Sequence, residues 1–346
     1  MNALYISNYR NDKSRNNRRM NPLRKWRNTL RGYEISGQDG FFVASLYNCC
    51  NVTERDLAWL KKNLSTVDSN FDTLFINYKS DEKSTGIDRE ALLFLNRTSI
   101  QKILVVTNAK AADLPGDPLL DLFDIVFKRE HYVDLDRYPV SSVNKAKIRN
   151  TMLGCPLIRT TTRNVHTIRP ASLGFTAPSE QFSHDLFFSG KTTSPIRLNA
   201  MERLHKEGFN VLGGLNAHKK YDDPIPPALL SPRFSRNGYI QAVRGSKINL
   251  ALEGYGEYTF RHNEILFLCS FMISTPSIRG LKLPLHLIEN KHYVCFEDLD
   301  DLVDKVRYYL VNESERQTIS RAGRDLFEKE YDLKKHGQYI KQAIQS

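Results

Sequence analysis

The sequence predicts two α/β domains in tandem, each a mostly parallel sheet covered by helices. Three observations predict it. The chain has 346 residues, more than one hydrophobic core usually supports, and at ~150 residues per domain it divides into two. Short apolar runs of strand length alternate with longer segments of helical periodicity, β then α, repeatedly. From about Arg163 to Phe182 that alternation dissolves into a stretch rich in Pro, Ser and Thr, which reads as a linker.

In the first half the strand candidates are Ala3–Ile6, Phe41–Ser45, Thr73–Asn77, Ile103–Thr107 and Asp124–Lys128, with helices near Glu54–Asn63 and Arg89–Asn96. The second half starts with strand Leu186–Ser189, helix Ile196–Glu207 and strand Asn210–Leu212. A loop with Pro224, Pro226 and Pro227 leads to helix Tyr239–Arg244 and strand Lys247–Leu252. Helix Phe260–Cys269, strands Phe271–Ser274 and Tyr293–Phe296, and helix Leu299–Val311 follow, and Ser314–Ile344 reads as one or two further helices. No internal repeat of 20 to 50 residues is visible.

Composition excludes several classes. The longest apolar stretch, Ile265–Ile273, is interrupted by Ser270 and is about half the ~18 residues a membrane span needs. The amino terminus turns polar after six residues and has no apolar signal core, so the expected location is cytoplasmic. Five cysteines, with no C-x-x-C pair, disfavour both a disulfide framework and a structural zinc site. The net charge is +11 and concentrated near the amino terminus, where Arg10, Lys13, Arg15, Arg18, Arg19, Arg24, Lys25, Arg27 and Arg31 face a single acid, Asp12. Residues 10–31 therefore read either as a solvated loop or as a contact for DNA or an anionic membrane surface, which would make the protein peripheral to that membrane.

In open parallel sheets ligands bind beyond the carboxyl ends of the strands, so the residues after each strand are the ones to inspect. After Leu186–Ser189 come Gly190 and Lys191, then a helix carrying Arg197. Glycine lets the backbone approach a ligand, a helix amino terminus offers N–H groups, and the two cations suit a diphosphate. The sequence is not a Walker A loop, because the glycine required upstream of Gly190 is absent. The stronger constellation runs from Ser246 to Leu266: a strand with Lys247, a turn with Gly254 and Gly256, and a helix opening near Thr259 with Arg261 and Glu264 one turn apart. Spacing i, i+3 puts those two side chains on one face, where the guanidinium can fork onto phosphate and the carboxylate can accept from ribose hydroxyls.

These residues reach a resemblance. The run Y-I-x-x-V-x-x-S-K-I-N-L from Tyr239, the glycine turn, F-R-H-N-E-I-L, F-M-I-S, E-D-L-D-D-L-V-D-K-V-R-Y-Y-L and S-R-A-G-R resembles the carboxy-terminal domain of GT-B glycosyltransferases, in particular the exostosin-like and spore-maturation-like branches. F-F-S-G-K-T-T-S-P-I-R and N-V-L-G-G are similar to the start of that domain, so the resemblance covers about residues 186–335. It implies a GT-B fold: an acceptor domain over 1–168, a nucleotide-sugar domain over 169–322, an interdomain cleft, and a carboxy-terminal helix over 323–346 packing back on the first domain. It also implies a UDP- or GDP-linked sugar donor, with Gly190, Lys191, Arg197, Lys247 and Arg261 at its diphosphate and Glu264 at its ribose. A polysaccharide-building transferase acting on a glycan hydroxyl is the expected enzyme. Phage DNA β-glucosyltransferases, also GT-B enzymes, resemble the chain more distantly. They carry a catalytic aspartate after the strand that here reads I-L-V-V-T, where this chain has Asn108.

An inverting transfer needs a base for the acceptor hydroxyl, and asparagine cannot serve. Of Asp12, Asp113 and His131, which follow predicted strands of the first domain, Asp113 is the candidate. The D-x-D pairs Asp134/Asp136 and Asp298/Asp300 raise a metal-dependent alternative of the GT-A type, but the second opens a helix, where acids complement the dipole. No metal or other cofactor is expected, since Lys191, Arg197 and Arg261 can neutralise a diphosphate. The competing functions are transfer to modified bases of DNA and a non-enzymatic polyanion-binding protein on a degenerate transferase scaffold.

Overall fold

The computed structural model describes residues 1–7, 34–35, 38–78, 90–107, 110–158, 160–161, 177–218 and 224–346. The basic stretch 10–31, Asn108 and most of the expected linker lie outside the described residues. The chain divides into one unit of Met1–Ile168, Lys282–Pro284 and Asp332–Ser346 and a second of Arg169–Leu281 and Leu285–Tyr331. The expected boundary at 322 falls inside a helix that runs from Glu313 to Glu330, so the return to the first unit begins at Asp332.

In the first unit β1 (Asn2–Ile6), β2 (Asn51–Arg55), β3 (Thr73–Tyr78), β4 (Gln101–Val106), β5 (Ile125–Lys128) and β6 (Ile148–Asn150) form one parallel sheet in the order β2-β1-β3-β4-β5-β6. Strands β3 and β5 are buried along their whole length and β4 from Ile103 onward, as the continuous apolar runs require of a sheet covered on both faces. One face packs Leu4, Ile6, Leu74, Ile76, Leu104 and Val126 against α2 (Leu57–Lys62), α3 (Leu64–Asn70) and α4 (Asp117–Leu120). The run expected as strand Phe41–Ser45 is instead α1 (Gly40–Cys49), and the strand follows it at Asn51. Gly40–Leu46 are all buried, and a short apolar run buried on every side carries no period that separates helix from strand. The segment near Arg89–Asn96 is a 3-10 helix, Glu90–Arg97, and α5 (Ser142–Ala146) precedes β6.

The second unit has a parallel sheet β8-β7-β9-β10-β11, built from β7 (His184–Lys191), β8 (Val211–Asn216), β9 (Ser246–Ala251), β10 (Met272–Ser274) and β11 (Val294–Cys295). Its helices are α6 (Pro195–Lys206), α7 (Arg236–Arg244), α8 (Phe260–Phe267), α9 (Leu299–Val311) and α10 (Glu313–Glu330). Strand β7 runs two residues beyond the expected end, so Gly190 and Lys191 are strand residues paired with Leu215 and Asn216. Gly213 (φ +99°) and Gly214 (φ +135°) of β8 permit this: a Cβ on Gly213 would lie 2.0 Å from the Phe188 carbonyl oxygen. The strand order reverses between β7 and β9, and a parallel sheet opens its crevice at such a point, beyond the carboxyl ends of the two strands.

The last helix, α11 (Leu333–Gln345), belongs to the first unit and packs on α1. Gly337 brings the two backbones together, since a Cβ there would sit 2.7 Å from the Ser45 carbonyl oxygen. His336 is hydrogen-bonded to Thr151 at 2.8 Å and Tyr339 donates to Asn150 at 3.1 Å, which ties the helix to the segment around β6.

Candidate active site

Arg197 stands in the first turn of α6 with its guanidinium turned inward at the crevice between β7 and β9. Nε donates to the Glu253 carbonyl (2.7 Å), Nη1 to that of Lys191 (2.8 Å) and Nη2 to that of Leu252 (3.0 Å). The chain ends of both strands are thereby fastened to one side chain, which is 9% exposed. It also crowds the neighbouring glycines: a Cβ on Gly254 would lie 2.7 Å from Nη2, and one on Gly190 2.8 Å from the Phe188 ring and 3.2 Å from Nη1. Burial pulls the Arg197 pKa down to about 10, the nearby Arg261 adds to this, and Glu253 opposes it.

Arg261 and Glu264 lie one turn apart on α8, as the sequence predicts, and meet through a residue the sequence argument did not single out. The Tyr239 hydroxyl, from α7, donates to Glu264 Oε2 at 2.7 Å and accepts from Arg261 Nη1. Arg261 Nη2 donates to the Ser189 carbonyl of β7. The guanidinium carbon lies 4.9 Å from the Tyr239 ring centre and 5.7 Å from that of Phe187, close enough for cation–π attraction. Beside this group is a cavity of about 480 Å³, lined among others by Ser189, Asn216, Arg233, Phe234, Arg236, Tyr239 and Arg261. Its volume is in the range of small-molecule sites, and its lining holds three guanidinium groups and no carboxylate, so it favours an anion.

The amino terminus of α8 is set by His262, whose Nδ1 accepts from the Thr259 N–H at 3.0 Å, in the place a glutamate takes in a capping box. That assigns the proton to Nε2, which donates to Ser274 Oγ at 2.9 Å. The ring is buried and stacked on Tyr258, 4.5 Å between centres. Burial pushes its pKa down to about 3, so it is neutral and ties α8 to β10.

Lys247 does not join this group. It is the second residue of β9, ion-paired with Asp185 at 3.5 Å, and Asp185 and Ser189 are four positions apart in β7. At ~3.3 Å per residue Lys247 is about 13 Å away along the sheet, at the amino rather than the carboxyl end. The strand expected over Lys247–Leu252 already has Lys247 at its amino end; its place at the diphosphate came from the resemblance alone. Lys191, in contrast, is exposed at the carboxyl end of β7 beside Arg197. Ser189, Arg233, Arg236 and Tyr239 were missed; the signal for two of them is the R-F-S-R run ending a proline-rich loop.

In the first unit Asp113 sits half-buried in a turn after β4, its N–H donating to the Lys110 carbonyl at 3.2 Å. Nearby, Lys128 is wholly buried and donates to the same carbonyl at 2.8 Å. His131 is buried, and its Nδ1 contacts the Tyr132 carbonyl at 2.8 Å; burial, with Lys128 and Lys282 adding to it, holds its pKa below the usual histidine range. A second polar group went unnoticed in the sequence: Asp39, just before α1, accepts from Tyr5 (2.7 Å) and Asn77 (2.9 Å), and Thr107 donates to Asn77 (3.1 Å). It joins the carboxyl ends of β1, β3 and β4 but is closed to solvent, so its role is to hold those ends together. The D-x-D acids serve helix ends: Asp134 accepts from the Asp136 N–H and Asp298 from the N–H groups of Asp300 and Asp301. Among the described residues no group of three or more His, Cys, Asp or Glu could hold a metal ion, and no helix is long and apolar enough to cross a membrane.

Residues 196–342 match the family described as glycosyl transferase-like. No curated protein sequence matches the chain. Solved structures do. Anabaena HepE in complex with UDP and glucose superposes with a TM-score of 0.58 at 10% identity, over 100% of this chain and 99% of HepE. The β-glucosyltransferase of phage T4 with its UDP-glucose substrate gives 0.50 at 13%, over 99% of each chain. TarM of S. aureus gives 0.55 at 10%, over 84% of this chain but 57% of TarM, so the chain spans little more than half of that protein. At such identities the likeness is one of fold, and the fold is GT-B: two parallel α/β units with the last helix packed on the first. Fold and family match together define the class of the protein, a glycosyltransferase of the GT-B type. The closer resemblance to exostosin-like enzymes finds no counterpart among these relatives.

Proposed function

We propose that the protein moves a sugar from a UDP- or GDP-linked donor to a hydroxyl of a glycan, without a metal ion. The observation that carries this is the Arg261–Tyr239–Glu264 group beside a cationic cavity at the carboxyl ends of β7 and β8. Arg261 takes the diphosphate, assisted by Lys191 and by the backbone at Gly190, and Glu264 accepts from the ribose hydroxyls. Arg197 contributes by shaping the crevice rather than by touching phosphate, because Nε and both Nη groups each donate to a carbonyl, whereas Arg261 engages, among the described residues, only its two Nη groups. As the bond from the anomeric carbon to the diphosphate oxygen breaks, its electron pair goes to the leaving diphosphate, and fixed cations stabilise the charge that develops there. Asp113 is the proposed acceptor of the proton from the attacking hydroxyl. The nucleotide choice is in keeping with HepE and the T4 enzyme, both solved with UDP-glucose.

Titration calorimetry with UDP and GDP tests the donor site. Wild type should bind at least one of them, and Arg261→Ala or Glu264→Ala should weaken that binding about tenfold or more, the loss typical of a hydrogen bond to a charged group. Absence of binding to both nucleotides overturns the proposal. A second reading, transfer to modified DNA, is favoured by the basic stretch 10–31 and the fold likeness to the T4 enzyme. Label transfer to duplex DNA rather than to glycan would decide for it.

A further inference from the structure

Arg261 and Glu264 could pair directly, being of opposite charge and one helical turn apart, yet no ion pair joins them among the described residues. The Tyr239 hydroxyl stands between them instead. A phenol has one proton and lone pairs to accept with; here the proton goes to the carboxylate and the guanidinium occupies the acceptor side. Each bond polarises the other, so the strength of one depends on the presence of the other. The ring carrying that hydroxyl has a hold besides the two charges: it comes from α7 and stands edge-on to Phe187 of β7, 5.5 Å between centres. The remaining arm of Arg261 is tied to the Ser189 carbonyl. Three elements, α7, α8 and β7, therefore meet at one hydroxyl group.

We infer that Tyr239 is a positioning residue that couples the diphosphate-holding guanidinium to the ribose-holding carboxylate, so that nucleoside and diphosphate are recognised as one unit. The inference rests on the donor-site reading above and adds to it a link between its two halves. With the hydroxyl in place, loss of either charged group frees the other from its set position, and removal of both costs less than the two single losses multiplied. Without the hydroxyl, the two groups act separately.

The test is a double-mutant cycle on UDP and GDP binding by calorimetry, with Arg261→Lys, Glu264→Gln and their combination, each made with Tyr239 and with Tyr239→Phe. The phenylalanine keeps the ring contacts with Phe187 and Arg261 and removes only the hydroxyl. In the Tyr239 background the double variant should bind about tenfold tighter than the product of the single losses implies, as for residues sharing one network. In the Tyr239→Phe background the losses should multiply. A tyrosine with a merely structural role would lower the melting temperature and leave the non-additivity unchanged, which overturns the inference. Tyr239→Phe binding as well as wild type overturns it too. If Tyr239→Phe fails to fold, the cycle in the Tyr239 background decides, and multiplicative losses there count against coupling. Wild type that binds neither nucleotide removes the donor site and this inference together, whereas binding without coupling removes the inference alone.

Discussion

Arg197 donates to three main-chain carbonyls, which engages the fork of its guanidinium that a phosphate would need. Arg197→Ala leaves those carbonyls short of a partner at a buried crossing of two strand ends, and should lower the unfolding free energy in urea by about 3 kcal/mol. Arg197→Lys should recover only part of the loss, since an ammonium group cannot reproduce the planar fork. Two histidines, His262 in the second unit and His336 in the first, give the protein a pH-dependent stability. Burial lowers each pKa to about 3, so the folded chain stays unprotonated while the unfolded chain takes up protons near the ordinary histidine value. The contribution of each is complete above about pH 6.5 and declines as pH falls towards 3, by ~1.4 kcal/mol per pH unit per histidine. Urea unfolding at pH 7, 6 and 5 should show that slope, and His262→Gln should reduce it. At this scale the sequence places Arg261 and Glu264 on one helix face, because i, i+3 spacing is a local property. Tyr239, 22 residues before Arg261, was out of its reach, because only the packing of α7 beside α8 brings the hydroxyl to the pair.

Among the elements, the amphipathic helix α9 matches its expected span, while α1 forms where the sequence predicts a strand. The difference is physical: α9 exposes one face to water and so carries a period, whereas α1 lies between the sheet and α11 with little polar face to mark its turns. Strand β7 runs past its expected end, because its last two residues are held by pairing with β8, which the sequence of β7 does not encode. The α1–α11 contact depends on Gly337. Gly337→Val would set side-chain carbon where the Ser45 carbonyl now stands, and should cost about 2 to 3 kcal/mol, seen as a lower melting temperature of the first unit.

At the level of the molecule, tandem α/β organisation follows from length and alternation alone, and the GT-B class from the motifs of the second half. The crossing of the chain back to its starting unit is visible in the structure as Asp332–Ser346. Deleting those residues uncovers the buried face of α1, including Phe41, whose ring lies 5.2 Å from that of His336. Calorimetry of a chain ending at Tyr331 should show the transition of the second unit kept and that of the first lost or shifted far down. Apart from Lys282–Pro284, the second unit is drawn from one uninterrupted stretch, whereas the first cannot be completed until the final residues exist. On the ribosome, then, the half that is made first matures last: the nascent amino-terminal segment waits, with α1 uncovered, until α11 has been made.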